Sequence, residues 1–246
     1  MDPYSSNFFT AEVVPLTRDM NPKYYDRLQL LLSDTQNRWP HENMPDFVVR
    51  KPPRLNKFLS NNATNAHNEN AWYSVLTNNA NPDIELQETI TISALSLADP
   101  TKLEDLLALT AHELGHDISN MQNANYAEDP SAQYKIEECE ADHVMSMLGY
   151  GDSFIPFLTE HADELAALES QRDSALLPTS RIEAKNRITA ILLTHPRPTE
   201  RIAALEDTYI KSLPIEEITF NPDCTPALKH GLPDSLINED IIQARQ

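Results

Sequence analysis

Two cysteines, Cys139 and Cys224, are all that the 246-residue chain contains, and they form no C-x-x-C pair. That count excludes a disulfide framework and a thiolate metal site, so cysteine is expected to hold neither the fold nor a metal. Long apolar runs are lacking too. No stretch approaches the roughly 18 to 20 apolar residues of a membrane helix. The start, "MDPYSSNFFTAEVVPLTRDM", lacks the basic-then-apolar layout of a signal peptide. The expectation is a soluble, cytoplasmic chain with no integral membrane segment. Basic residues are scarce: 19 Lys and Arg face 38 Asp and Glu, a formal charge of −19. The phosphates of nucleic acid or of an anionic membrane would be repelled by such a surface, so neither is expected as partner.

What is present suits one sizeable core with appendages. An amphipathic helix is predicted in "PKYYDRLQLLLSDTQNRW", where Tyr25, Leu28, Leu31 and Leu32 recur at helical spacing. A proline-rich connector follows, with at most a short strand at Phe47 to Arg50. Residues 61–81 are rich in asparagine and read as loops around a strand "AWYSVL". In "ETITISAL", Ile90, Ile92 and Ala94 alternate with Thr89, Thr91 and Ser93, the pattern of a half-exposed strand. From residue 99 the chain turns helical. Asp99 is placed to cap and Pro100 suits a first turn, and Thr101 with Glu104 offers an alternative capping box. Further helices are predicted at about 131–149, 153–169, 181–194 and 198–212. The expected fold class is α+β, mostly helical, with a small sheet beside the helix at 103–121. Residues 1–60 are expected to form an N-terminal helix and connector, 61–212 the main domain, and 213–246 a proline-punctuated tail.

Within "ALTAHELGHDISN", the positions Leu103, Leu107, Thr110, Leu114, Ile118 and Met121 step by three and four, a buried stripe. His112 and His116 share a different face. Two imidazoles one turn apart can reach one Zn2+ ion, and Glu113, turned by about 100 degrees, can reach a water on that ion. This is the mechanical content of H-E-x-x-H, which chance would produce in such a chain roughly 2% of the time. A third ligand is needed. In "KIEECEADHVMSMLGYG", Glu138 and Asp142 stand four apart on one helical face. A carboxylate such as Glu138 from a separate helix completes a two-His-one-Glu site with an open fourth position. Asp142 would then orient a ligand histidine. Glu137 and Glu140 compete as ligands but point elsewhere, and His143 is the first substitute to test. His41, His67, His161 and His230 lack paired spacing and read as structural or surface residues.

HELGH at 112–116, the E-x-x-A-D of "ECEAD" followed by "MLGYG", and "THPRPTERIAAL" at 194–205 occur in the order found in the HtpX and CAAX-prenyl-protease family of gluzincin metallopeptidases, which this chain resembles over roughly residues 69–206. "ENAWYSVL" and "ETITISALSL" look like that family's two strands before its zinc helix. The resemblance implies a zincin-like domain that binds one zinc ion through His112, His116 and Glu138, with Glu113 as general base and His195 beside the metal. Many members of that family carry membrane helices, and none is visible here.

The implied reaction is peptide-bond hydrolysis. Zinc lowers the pKa of water to near 7. Glu113 takes the proton and passes it to the leaving amine, while His195 or a backbone N–H supports the oxyanion. Arg201 is expected to pair with Asp142 or another carboxylate, either buried or at the surface. A polypeptide substrate would add as a strand along the edge formed by "ETITISAL". Residues 61–81 could gate the cleft and the tail could cover it. Two rivals stand beside this reading: a regulator-cleaving HELGH-type metallopeptidase, and an inactive zinc-binding interaction protein. An intact Glu113 speaks against the second, since a structural zinc site needs no base and fills all four positions.

Overall fold

A computed structural model describes residues 13–40, 44–50, 71–76, 87–122 and 129–228. The chain is mostly helical with a small sheet, and it divides into two compact units, 1–117 and 118–246. The asparagine-rich stretch around strand "AWYSVL", the connector beyond Arg50 and the tail from residue 229 lie outside the described residues.

In the first unit, strands β1 (Val13–Pro15), β2 (Asp46–Arg50), β3 (Ala71–Leu76) and β4 (Gln87–Ser93) form one sheet in the order β1-β2-β4-β3. Val13–Pro15 contribute a short edge strand, antiparallel to β2. β4 pairs in parallel with β2 and antiparallel with β3. This corrects two expectations. "ETITI" is a central strand and not an edge, so it offers no free backbone to a substrate. Nor is it half exposed: Ile90 and Ile92 are fully buried, and Thr89 and Thr91 are only 5% and 6% exposed. Alternating side-chain polarity marks the two faces of a strand, but threonine's methyl group lets its face be covered as well. After Ser93 the chain does not continue as a strand; Ala94–Ala98 forms the short helix α2.

Helix α1 (Pro22–Arg38) opens on Asn21, whose side-chain oxygen accepts the Tyr24 N–H at 3.0 Å, with Pro22 in the first turn. Its buried stripe is Tyr24, Leu28, Leu31 and Thr35, set one residue earlier than the predicted start at Tyr25. The reason is polar. Thr110 donates its hydroxyl hydrogen to the Leu106 carbonyl at 2.7 Å, and the Tyr24 hydroxyl lies 2.7 Å from Thr110 Oγ1, which accepts from it. Tyrosine can be buried at that point because its hydroxyl is satisfied.

Asp99 accepts from the Thr101 N–H at 2.9 Å and opens a 3-10 turn, Pro100–Lys102, that leads into α3 (Leu103–Gln122). The cap is Asp99 as anticipated. Leu107, Thr110, Leu114 and Ile118 are buried as the spacing predicts, but so are Leu106, Ala108, Leu109 and Ala111. A helix covered nearly all round is a central one, and polar groups on it are held away from bulk water.

The second unit holds α4 (Pro130–Met147), α5 (Gly151–Ser174), α6 (Pro178–Thr194), α7 (Pro198–Glu206) and α8 (Thr208–Ser212). α4 packs against α5, α6, α7 and α8. It starts on Asp129, which accepts the Ser131 N–H at 3.0 Å, and it stops at Gly149, whose φ is 86°. There Gly149 N–H bonds the Ser146 carbonyl at 2.9 Å and Tyr150 N–H the Met145 carbonyl at 3.1 Å, the paired bonds of a Schellman ending. The stretch 198–212, predicted as one helix, is two: Asp207 breaks it and caps α8 by accepting the Tyr209 N–H at 2.8 Å. α5 and α6 share an apolar cluster of Leu165, Leu168 and Ile188.

The tail from 213 is not loose where it is described. Ile215 and Ile218 are fully buried, and β5 (Ile218–Phe220) pairs with β6 (Pro226–Leu228) as a hairpin that packs on α4. Cys139 on α4 and Cys224 in the hairpin turn form a disulfide, their Cα atoms 5.3 Å apart. This overturns the expectation that cysteine plays no part in the fold. A separation of 85 residues hides the pairing from sequence spacing; the hairpin's return to α4 creates it. Among the described residues, no helix is long and apolar enough to cross a membrane.

Candidate metal centre

His112 and His116 stand one turn apart on α3 with ring centroids 4.8 Å apart and ring planes at 80°. His112 is buried and His116 partly so; Glu113, next in the chain, is 9% exposed. The spacing of the motif therefore survives as geometry: two imidazoles share a helix face, and a carboxylate held largely out of bulk water follows the first of them.

Glu138 on α4 sits in a charged cluster within the second unit. Arg201, in the first turn of α7, is buried and forks onto Asp142, Nε to Oδ2 at 2.7 Å and Nη2 to Oδ1 at 2.8 Å. Its Nη1 lies 3.1 Å from Glu138 Oε2. One guanidinium thus spans two carboxylates set four residues apart, with its plane 5.6 Å from the centre of the Phe154 ring. The "THPRP" sequence explains how Arg201 gets there. His195 caps the end of α6, Pro196 cannot continue it, and Pro198 opens α7, where Arg197 N–H bonds the Glu200 carboxylate at 2.8 Å.

His195 is about half exposed. Its Nε2 lies 3.5 Å from Glu138 Oε1, and its Nδ1 lies 2.8 Å from the Thr194 hydroxyl. The other acids of α4 are engaged elsewhere: Glu137 accepts from Gln133 at 2.8 Å, and buried Glu140 accepts from the Thr219 hydroxyl at 3.0 Å. His143, named as substitute ligand, is buried with Nε2–H donated to the Leu213 carbonyl at 2.9 Å. Burial holds its pKa below the ordinary histidine value, against smaller opposing effects of that hydrogen bond and of Glu216.

His112, His116 and Glu138 each offer one ligand atom, and those atoms all lie within 4.8 Å of one another, so the group could hold a metal ion. The donor set of two imidazole nitrogens and a carboxylate oxygen fits zinc or a similar borderline divalent ion.

Sequence reasoning did not find the cavity that His195 lines. This cavity, of about 440 Å³, is lined by His195, Lys135 and Arg197 together with Asn221, Asp223 and Thr225 of the hairpin turn. Lys135 precedes Glu138 by three residues, so the two share a helix face, a spacing that was available as a signal. The hairpin wall had no such signal. No family model, curated protein or solved structure matches the chain.

Proposed function

We propose that the chain is a zinc-dependent endopeptidase with a zincin-like catalytic site, a relative of the gluzincins its motifs resemble. The observation that carries this reading is the convergence of His112, His116 and Glu138 on one position, with Glu113 beside His112. A zinc ion held by the three would supply Lewis acidity, acidifying water and polarising a carbonyl.

The chain's own groups supply the rest. Glu113 acts as general base on the attacking water and returns the proton to the leaving amine. His195, which lines the cavity and lies 3.5 Å from Glu138, donates to the developing oxyanion. Arg201 holds Glu138 by one oxygen and is itself fixed by Asp142, so the ligand's orientation is set before any ion arrives. The substrate is a polypeptide, and the cavity of about 440 Å³ that His195 lines is the candidate place for a stretch of it.

Zinc content and cleavage of casein, measured for the native chain and for Glu113→Gln, test the reading. Zinc retained in both with cleavage lost in the variant is the expected result. Native protein that binds no zinc, or a variant as active as the native chain, overturns it.

A further inference from the structure

The wall of the cleft is a five-residue turn, Asn221 to Thr225, and its attachments are visible. Asn221 N–H bonds the Thr225 carbonyl and Cys224 N–H the Asn221 carbonyl, both at 2.9 Å. Asp223 accepts from the Thr225 hydroxyl at 2.6 Å. These bonds shape the turn but stay inside it. β5, which leads into the turn, packs on α4 and its Thr219 bonds Glu140, while the turn itself is joined to α4 covalently by the bond from Cys224 to Cys139, the residue next to Glu138. Cys224 has φ 59°, a left-handed conformation that glycine or asparagine adopts at less cost. A cysteine there is a local expense, and the cross-link to Cys139 is what the residue supplies in return. Both residues are 2% exposed, so small reductants reach the sulfurs only when the hairpin opens.

We infer that the Cys139–Cys224 disulfide is a latch on the substrate cleft, closed by oxidation. Before it forms, the turn 221–225 is held to α4 only through its flanking strands, and polypeptide binds weakly in the cavity that the turn and His195 line. Two electrons and two protons pass from the thiols to a low-molecular-weight disulfide such as glutathione disulfide, which becomes two glutathione thiols. The wall is then fixed and the cleft complete. The chain is accordingly built to work in an oxidising compartment and to stay poorly active in a reducing one, the reverse of the cytoplasmic setting that its sequence suggested. The cleavage half of this inference rests on the peptidase reading; the latch itself does not.

The test compares oxidised native protein with the same protein reduced by a trialkylphosphine. The phosphine takes one oxygen from water to become its oxide, and the chain gains two hydrogens. Three quantities are read: zinc content, amide exchange across residues 218–228, and the KM and kcat for an unstructured peptide. On reduction, exchange in 221–225 should rise by about tenfold or more. KM should rise about tenfold with kcat changed less than about twofold, and zinc should be retained. Glutathione disulfide should reverse all of this. Cys224→Ser should match the reduced form whether or not phosphine is present, and the reduced native chain gives the same comparison if that variant fails to fold. Unchanged exchange after complete reduction, or two free thiols in protein isolated from an oxidising compartment, overturns the latch. If oxidised protein shows the exchange difference yet cleaves nothing, the peptidase reading fails and takes the cleavage half with it.

Discussion

Arg201 and Asp142 meet as a buried fork, two parallel N–H···O bonds of 2.7 and 2.8 Å between α7 and α4. Each is only a few percent exposed, so neither charge is solvated if the other is lost. Arg201→Met and Asp142→Leu should each destabilise the fold by about 3–5 kcal/mol. The double variant should cost less than the sum of the two, because both members of the fork are removed together, although Glu138 still loses its contact with Arg201. Urea denaturation of the four proteins measures this, and strictly additive losses would show that the pair is not energetically coupled.

Gly149 ends α4 at φ 86° in otherwise open space, for a Cβ built there meets nothing within 4 Å. The cost of a side chain is therefore one of backbone conformation and not of collision. Gly149→Ala should lower stability by about 1 kcal/mol, and Gly149→Asn by less, since asparagine tolerates the left-handed region. Equal losses for the two would indicate that the position is not held in that conformation in solution.

The helical half of the chain was legible because its signals are local. Asp99, Pro100 and the stripe from Leu107 to Ile118 placed α3, and the four-residue spacing put His112 with His116 on one face of α3 and Glu138 with Asp142 on one face of α4. Arg201 was named for Asp142, though its depth and its hold on Glu138 were open. What was missed depends on distant parts of the chain. The centrality of β4 depends on β2 and β3 flanking it. Cys139 and Cys224 are brought together by a hairpin that three-residue strands barely announce. The break at Asp207 was local and still overlooked, because an aspartate in a helical pattern reads equally well as a surface residue.

His143 adds a pH dependence. Burial lowers the pKa of its imidazole in the folded chain, whereas in the unfolded chain it binds a proton at about pH 6.5. Below that value the unfolded state takes up the proton more readily, so stability is complete above about pH 6.5 and is lost as pH falls toward the depressed native pKa. The slope from this group cannot exceed about 1.4 kcal/mol per pH unit. His143→Gln keeps an N–H donor for the Leu213 carbonyl without the titration. The native chain should therefore lose more stability than the variant between pH 7 and 5 in parallel urea titrations. Curves that stay parallel would show that His143 does not titrate differently on folding.

Metal binding should appear as stability, since an ion held by His112, His116 and Glu138 binds the folded chain and not the dispersed ligands of the unfolded one. At a free zinc concentration about a thousand times the dissociation constant, the gain is about 4 kcal/mol. His116→Ala and Glu138→Ala should each lower the bound zinc well below one ion per chain and abolish most of the thermal shift on zinc addition. Glu113→Gln should keep both, because Glu113 is assigned to proton transfer and not to the ion. Glu138→Ala carries a second consequence: it frees the Arg201 guanidinium from one of its two carboxylates. Part of its loss should therefore persist in metal-free protein, unlike that of His116→Ala. Calorimetry with and without zinc separates the two, and a Glu138→Ala protein that still binds one zinc as tightly as the native chain would remove α4 from the metal centre.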